Sequence, residues 1–228
     1  GRLYPLAPPG AVLSEGRKLK PAKIRGVLSQ GMLLAEDELG LSAEHAGLME
    51  IPQDLTLGQD FAAALNLSDV ILEVAVTPNR QDCLSVLGLA REVAALLNQP
   101  LRHPEVIVAP VAEPAAPQAR VTILDPVGCP RYAARLLVDL TVAPSPFWMR
   151  GRLQLAGLRA INNLVDVTNY VLLEFGQPLH AFDFRKLRGG QIVVRRPQAG
   201  EESFVTLDGQ ERPLTPDTLL ICDGEQPV

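Results

Sequence analysis

Residues 162–183 read NNLVDVTNYVLLEFGQPLHAFD, and the rest of the chain is organised around them. Leu164, Val167, Val171, Leu172 and Phe175 fall at i, i+3, i+7, i+8 and i+11, so a helix gathers them on one apolar face expected to pack inward. The same spacing puts Asn162, Asp166 and Asn169 at i, i+4 and i+7, a row of amide and carboxylate groups on another face. Gly176 is placed to end the helix as its C-cap, and Pro178 prevents it from resuming. His180 and Asp183 then return on the loop. A polar helix face followed by a Gly-Gln-Pro turn that brings back a histidine can line one wall of a pocket. The same residues also read as a capped helix whose polar face is merely wet, and composition does not choose between the two.

Around this stretch, 228 residues with 47% apolar and 21% charged side chains make a globular chain long enough for one large or two ordinary domains. No apolar run approaches the roughly 18 residues of a membrane span, so no membrane partner is expected. The N-terminal residues lack the pattern of a signal peptide and begin without Met, as a fragment would. Cys83, Cys129 and Cys222 are odd in number and scattered, which indicates neither a disulfide framework nor a CxxC metal site and fits a reduced cytoplasm. GxGxxG, P-loop and HExxH motifs are absent. The net charge of -5 argues against a dedicated nucleic-acid binder, but local clusters matter more. Arg17, Lys18, Lys20, Lys23 and Arg25 lie together without an acid between them, and Arg131, Arg135, Arg150, Arg152 and Arg159 are opposed only by Asp139. Either cluster suits phosphate; either also suits a solvated face.

Along the chain, residues 1–16 are rich in Pro and Gly. A hairpin is expected at 23–35, turning at Ser29-Gln30-Gly31, followed by a short acidic turn at 36–41 and a short helix at 61–65. Residues 70–76, VILEVAV, have strand length and composition. Val86, Leu87, Ala90, Val93, Ala94 and Leu97 then form the stripe of a helix over 82–98, with Asn79 or Asp82 as its cap and Arg80 beside it. Arg80 reads mainly as architecture, with an RNA contact as the alternative. The Pro-rich residues 99–118 mark the clearest linker. Beyond it, 120–124 and 132–142 have strand composition, and 146–158 reads as a helix with Pro at its first turn and Trp148 filling core. Strands follow at 192–196, 204–207 and 218–222, with a tight turn at Asp208-Gly209. The class is mixed α+β.

Three stretches carry a family resemblance. Residues 165–183, VDVTNYVLLEFGQPLHAFD, resemble the editing-domain signature of the beta subunit of bacterial phenylalanyl-tRNA synthetase. Residues 77–89, TPNRQDCLSVLGL, resemble the segment that joins its tRNA-binding and editing regions. Residues 22–41, AKIRGVLSQGMLLAEDELGL, resemble the last part of its tRNA-binding domain. They occur in the family's order. The resemblance implies the C-terminal part of an OB-like tRNA-binding domain over 1–57, a connecting strand–helix segment over 58–100, the linker at 101–118, and the N-terminal part of a B3/B4-type editing domain over 119–228. It further implies a cytoplasmic ligase of protein biosynthesis, with tRNA specific for phenylalanine and an alpha subunit as partners, two alpha and two beta chains together. ATP and Mg2+ would serve the assembled enzyme, chiefly on the alpha subunit; no cofactor or metal is expected on this chain. Family elements beyond residue 228 are missing, among them a strand whose acidic residue recognises the tyrosine hydroxyl, so the fragment alone should be a crippled editor.

The chemistry the family must solve is discrimination between phenylalanine and tyrosine. An apolar pocket rejects an isostere with one extra hydroxyl only about 10²-fold, so a second pocket that pairs the phenol and hydrolyses tyrosyl-tRNA is useful. Ester hydrolysis needs a positioned water and a stabilised oxyanion, and neither a covalent nucleophile nor a metal. His180 is the histidine with a credible role, since His45 follows the acidic turn and His103 lies in the linker; imidazole suits proton transfer at neutral pH. The resemblance places His180 in the editing pocket as base or orienting group, and Thr168 and Asn169 as substrate-lining residues. Asp166 and Asp183 read either as substrate contacts or as cap and ion-pair residues. Arg17, Lys18, Lys20, Lys23 and Arg25 are the expected tRNA contacts. The competing reading is a non-catalytic module that only binds tRNA and scaffolds the alpha subunit.

Overall fold

The computed structural model describes residues 1–42, 47–51, 55–108, 115 and 118–228, arranged as two compact units, Gly1–Ala75 and Val76–Val228. His45 and much of the expected linker, 109–114 and 116–117, lie outside the described residues.

In the first unit, β1 (Leu6–Ala7) pairs with β4 (Met32–Leu33), and β2 (Ala22–Ile24) pairs with β3 (Val27–Ser29), both antiparallel. The hairpin therefore turns at Arg25-Gly26 and not at residues 29–31. Arg25 and Gly26 have φ of +52° and +83°, the positive values a two-residue hairpin turn needs to match strand twist. Gly31 instead permits close approach to β1, since a Cβ there would stand 2.7 Å from the Ala7 carbonyl oxygen. Ala7, Leu13 and Leu34 form the core, with Ala11, Leu19, Met32 and Leu39 against it. The acidic turn at 36–41 is present, closed by bonds from the Gly40 and Leu41 N–H groups to the Asp37 and Glu36 carbonyls. The short helix α1 (Phe61–Ala64) is capped by Asp60, which accepts from the Ala63 N–H. Residues 70–76 do not form the expected strand. They are irregular and exposed, because a strand-length apolar run becomes a strand only where a neighbouring edge offers ladder partners.

In the second unit, a 3-10 turn (Gln81–Leu84) precedes α2 (Val86–Leu96), so the expected helix starts later than its apolar pattern suggests. Its cap is Ser85, whose hydroxyl accepts from the Gly88 N–H at 3.1 Å; Asp82 is engaged elsewhere, by Arg80. Gly88 is required by space. A Cβ there would lie 1.7 Å from the Asp82 carbonyl oxygen. Helix propensity alone favours Ala over Gly by about 1 kcal/mol, whereas overpacking of this kind costs about 1–3 kcal/mol or more. Gly88→Ala is accordingly expected to lower stability in urea denaturation, and a gain would contradict the close approach.

β5 (Arg120–Ile123), β6 (Gln191–Arg195) and β9 (Leu220–Cys222) form one sheet, β5 parallel and β9 antiparallel to the central β6. Its buried apolar side chains are Ile192, Val194, Leu220 and Cys222. β7 (Ser203–Val205) and β8 (Glu211–Pro213) form a hairpin around the expected tight turn at Asp208-Gly209, with β8 a strand that the sequence reading lacks. Residues 132–142 carry no strand; like 70–76, they have the composition without a ladder partner. The helices are α3 (Phe147–Leu155), which follows Pro146, and α4 (Asn163–Phe175), which Gly176 terminates in the left-handed region at φ +74°. Met149 and Leu153 of α3 are buried. The expected inward face of α4 is only partly covered: Val167, Leu172 and Phe175 remain about two-fifths exposed, and the side chain that is fully enclosed is Asp166.

One ion pair is sheltered by the sheet. Arg195, buried on β6, grips both carboxylate oxygens of Glu201, with Nη2 to Oε1 at 2.7 Å. The Arg195 hydrogen bonds hold the Glu201 carboxyl down to about 2, from an ordinary 4.5, assisted by the Gln198 N–H. A depressed acid stabilises the fold above its unfolded pKa and loses that contribution as pH falls through the folded one. The Glu201 contribution should therefore be complete above about pH 4.5 and fade toward pH 2. Urea midpoints of the parent and Glu201→Gln should converge over that window; a constant difference would remove the pair as its source.

Candidate functional site

The start of α4 is fastened by side chains of which sequence periodicity placed two, Asn162 and Asp166, on the polar face. Asn162 is the N-cap, its Oδ1 accepting from Leu164 and Val165 N–H groups, each at 3.1 Å. Asn163 ties the helix to the preceding irregular segment: Oδ1 accepts from Ala143 N, and Nδ2 donates to the Thr141 carbonyl at 2.9 Å. Asp166 is 0% exposed. One carboxylate oxygen accepts from the buried Ser145 hydroxyl and the other from the Ile161 N–H at 2.8 Å. Its carboxylate faces the interior and is committed to the chain, where the sequence reading had offered it to substrate. Asn163 and Ser145 escaped the sequence reading; the signal available was a Ser-Pro pair immediately before a helix.

Further along α4 the commitments end. Thr168 donates its hydroxyl to the Val165 carbonyl at 2.7 Å, which leaves its oxygen able to accept. Asn169 is partly buried, and its side-chain amide makes no hydrogen bond among the described residues. Past Gly176, His180 is exposed on an irregular loop and makes no hydrogen bond among the described residues; its ring lies 4.3 Å from that of Phe182, tilted by 55°. Asp183 closes this loop as the cap of the 3-10 turn Phe184–Lys186, accepting from the Arg185 N–H at 3.1 Å and from its guanidinium. Those Arg185 bonds keep the Asp183 carboxyl below its ordinary range. Asp183 is thus a cap and ion-pair residue here.

Trp148, expected in the core, is 51% exposed. Its ring meets Tyr170 edge-on at 5.4 Å, and the Arg152 guanidinium lies 5.5 Å over it while bonding the Tyr170 hydroxyl at 2.8 Å. In the first unit, Arg17, Lys18, Lys20, Lys23 and Arg25 are all exposed, Arg25 at the tip of the β2–β3 turn. Glu38 reaches Arg17 at 3.5 Å, a contact of little energetic weight in solvent.

Two cavities lie elsewhere. One of about 370 Å3 opens among Leu6, Val12, Leu13, Leu39 and Phe61, and one of about 280 Å3 lies where residues 99–102 fold over the stripe of α2. Neither is lined by Thr168, Asn169 or His180. Asp82, Cys83 and Glu92 bring three ligand-type atoms within 4.8 Å of one another. Arg80 is already their cation: its Nη2 lies 2.6 Å from Glu92, 2.8 Å from Asp82 and 3.2 Å from the Cys83 sulfur. Its hydrogen bonds hold the Asp82 carboxyl at about 2, while desolvation raises the Cys83 thiol. A guanidinium-filled carboxylate pair with a protonated thiol is poorly suited to a metal ion.

Comparison with known proteins matches two domain families to the chain, a putative tRNA binding domain over residues 10–60 and a B3/4 domain over residues 128–228. An α+β chain carrying this pair of domains stands in the class of aminoacyl-tRNA synthetase subunits. The curated phenylalanine–tRNA ligase beta subunits of Syntrophus aciditrophicus (strain SB) and Desulfotalea psychrophila (strain LSv54 / DSM 12343) are 52% and 46% identical to it over 228 residues, all of this chain and 28% of each relative. That of Geobacter metallireducens is 52% identical over 223 residues, 98% of the chain and 28% of the relative. The chain belongs to the phenylalanine–tRNA ligase beta subunit family and spans 28% of the length of these relatives. No helix among the described residues is long and apolar enough to cross a membrane.

Proposed function

We propose that the chain binds tRNA specific for phenylalanine and contributes the pocket that hydrolyses tyrosine mistakenly esterified to it, as part of a phenylalanine–tRNA ligase beta subunit. The observation that carries this reading is an accounting of polar groups. Asn162, Asn163, Asp166 and Asp183 are spent on caps and anchors, whereas the side chains of Asn169 and His180, a short distance along the same helix and turn, make no hydrogen bond among the described residues. Polar groups left uncommitted on an ordered frame are available to a substrate. In the reaction, water attacks the ester carbonyl, the tetrahedral oxyanion collapses, and the terminal ribose hydroxyl leaves with a proton. His180 accepts or relays the proton of that water, and Thr168 and Asn169 hold the aminoacyl group against it. The exposed cations at Arg17, Lys18, Lys20, Lys23 and Arg25 hold the tRNA by phosphate contacts. The ATP- and Mg2+-dependent charging reaction belongs to a partner alpha subunit, in a cytoplasmic assembly of two alpha and two beta chains.

The exposed basic cluster also fits a second reading, in which the segment holds tRNA and scaffolds the alpha subunit without catalysis. Deacylation of tyrosyl-tRNA by a complete ligase whose beta subunit carries this sequence separates the two. The editing reading requires hydrolysis well above the spontaneous rate and a loss on His180→Ala; the scaffold reading requires no effect of that change. Under both, replacing Arg17, Lys18 and Lys20 by Gln weakens tRNA binding and flattens its salt dependence by about one logarithmic unit per phosphate contact removed. An unchanged salt slope would free those residues of any tRNA role.

A further inference from the structure

We propose that Arg80 is a positioning residue for the loop that carries His180. Its consequence for hydrolysis rests on the editing reading above, whereas its effect on the loop rests on geometry alone. The Arg80 guanidinium ties the Gln81–Leu84 turn to the middle of α2: Nη2 is 2.6 Å from Glu92 Oε1 and 2.8 Å from Asp82 Oδ2, and Nε donates to Asp82 Oδ1 at 3.0 Å. A planar fork shared between two carboxylates fixes direction as well as distance. The turn it holds has no slack, since at Gly88 a Cβ would overlap the Asp82 carbonyl and stand 3.1 Å from Ser85 Oγ.

Ser85, buried at the end of this turn, carries the strain-free cap of α2 and also the contact that matters for the loop. A Cβ built on Gly176 would stand 3.4 Å from Ser85 Cβ and 3.6 Å from its Oγ. The C-cap of α4 therefore rests on the N-cap of α2. Gly176 is where the chain leaves α4, in the left-handed conformation with its N–H on the Leu172 carbonyl, and that conformation sets the direction of the residues that follow. Asp183 pins the far end. Between the pins His180 makes no hydrogen bond among the described residues and has the Phe182 ring 4.3 Å away, so its position is inherited from Gly176 and Asp183 and not from hydrogen bonds of its own. Arg80 and its partners are partly exposed, and ion pairs of that kind contribute little to global stability, so the clamp acts locally.

The test compares the parent ligase with Arg80→Ala, Arg80→Lys, His180→Ala and the Arg80→Ala/His180→Ala pair. For Arg80→Ala, kcat for tyrosyl-tRNA deacylation should fall about tenfold or more, with KM and phenylalanine charging unchanged, because small misplacements of reacting groups are costly. Arg80→Lys should recover part of the loss. The double variant should be no slower than His180→Ala alone, since a misplaced imidazole and an absent one are equivalent. Amide hydrogen exchange over residues 177–183 should quicken in Arg80→Ala while β5 and β6 keep their protection. Additive losses in the double variant, or parental exchange in the loop, would overturn the proposal. Should His180→Ala itself hydrolyse at the parental rate, the editing reading falls, and the exchange measurement alone decides whether Arg80 holds the loop.

Discussion

His180→Ala should slow hydrolysis of tyrosyl-tRNA specific for phenylalanine by about a hundredfold, the lower range for loss of a positioned acid–base group, with tRNA affinity and phenylalanine charging almost intact. The expectation follows from where the imidazole stands. It has no hydrogen-bond partner within the described chain, so its removal orphans no buried group and leaves the loop's two pins untouched. A loss of rate then reports on the reaction and not on folding. The kinetic pattern identifies the role further. A base or proton relay lowers kcat and kcat/KM together, whereas a group that only grips the aminoacyl moiety raises KM with kcat unchanged. His180→Gln sharpens the distinction, because an amide can donate a hydrogen bond to water or ester but cannot titrate. Recovery with Gln would make His180 an orienting group. Equal rates for parent and His180→Ala would remove the residue from the mechanism, and a parent no faster than the spontaneous reaction would leave only the tRNA-binding scaffold.

The elements that could be read in the sequence were those whose signals are local. The Gly176-Gln-Pro turn, the Asp208-Gly209 hairpin and the start of α3 after Pro146 are dictated by backbone restrictions of one or two residues, and the structure has them in place. Strands at 70–76 and 132–142 were not legible as absent, because composition reports what a segment can do while a ladder depends on a distant edge. The hairpin turn was misplaced for a related reason: Arg25 at positive φ is an unusual choice beside the freely positive Gly26, and Gly31 is needed for a close approach to β1 that no short-range rule reveals. On α4, periodicity separated two faces correctly but could not say which would be enclosed. The partners that decide it, Ser145 and Thr141, lie about twenty residues upstream, and hydrogen bonding rather than apolarity determines the burial of Asp166. Thr168, Asn169 and His180 came from family resemblance; the structure adds the distinction between polar groups that are spent and those left over.

Asp166→Ala should be the most destabilising single change at this site, costing about 3 kcal/mol, because it strands a buried hydroxyl and a backbone N–H and leaves a void where a fully enclosed carboxylate stood. Asn at the same position is nearly isosteric. Its amide oxygen can accept from the Ile161 N–H, and its amide nitrogen can donate to the Ser145 oxygen once that hydroxyl rotates, so both partners stay satisfied and the cost should fall to about 1 kcal/mol. The pair of variants separates an anchor from a substrate ligand. An anchor predicts that urea stability follows the order parent, Asp166→Asn, Asp166→Ala, and that deacylation by Asp166→Asn stays near the parental rate because α4 still begins in the same place. A carboxylate that touches substrate predicts the opposite split, with Asp166→Asn stable but slow, since the charge is what the substrate would have lost. Ser145→Ala completes the argument. It removes the donor while leaving the Asp166 oxygen without that partner in an enclosed site, so it should destabilise by an amount that does not add to that of Asp166→Ala. Additivity of the two would mean that they support the helix start independently and that the hydrogen bond between them carries no weight.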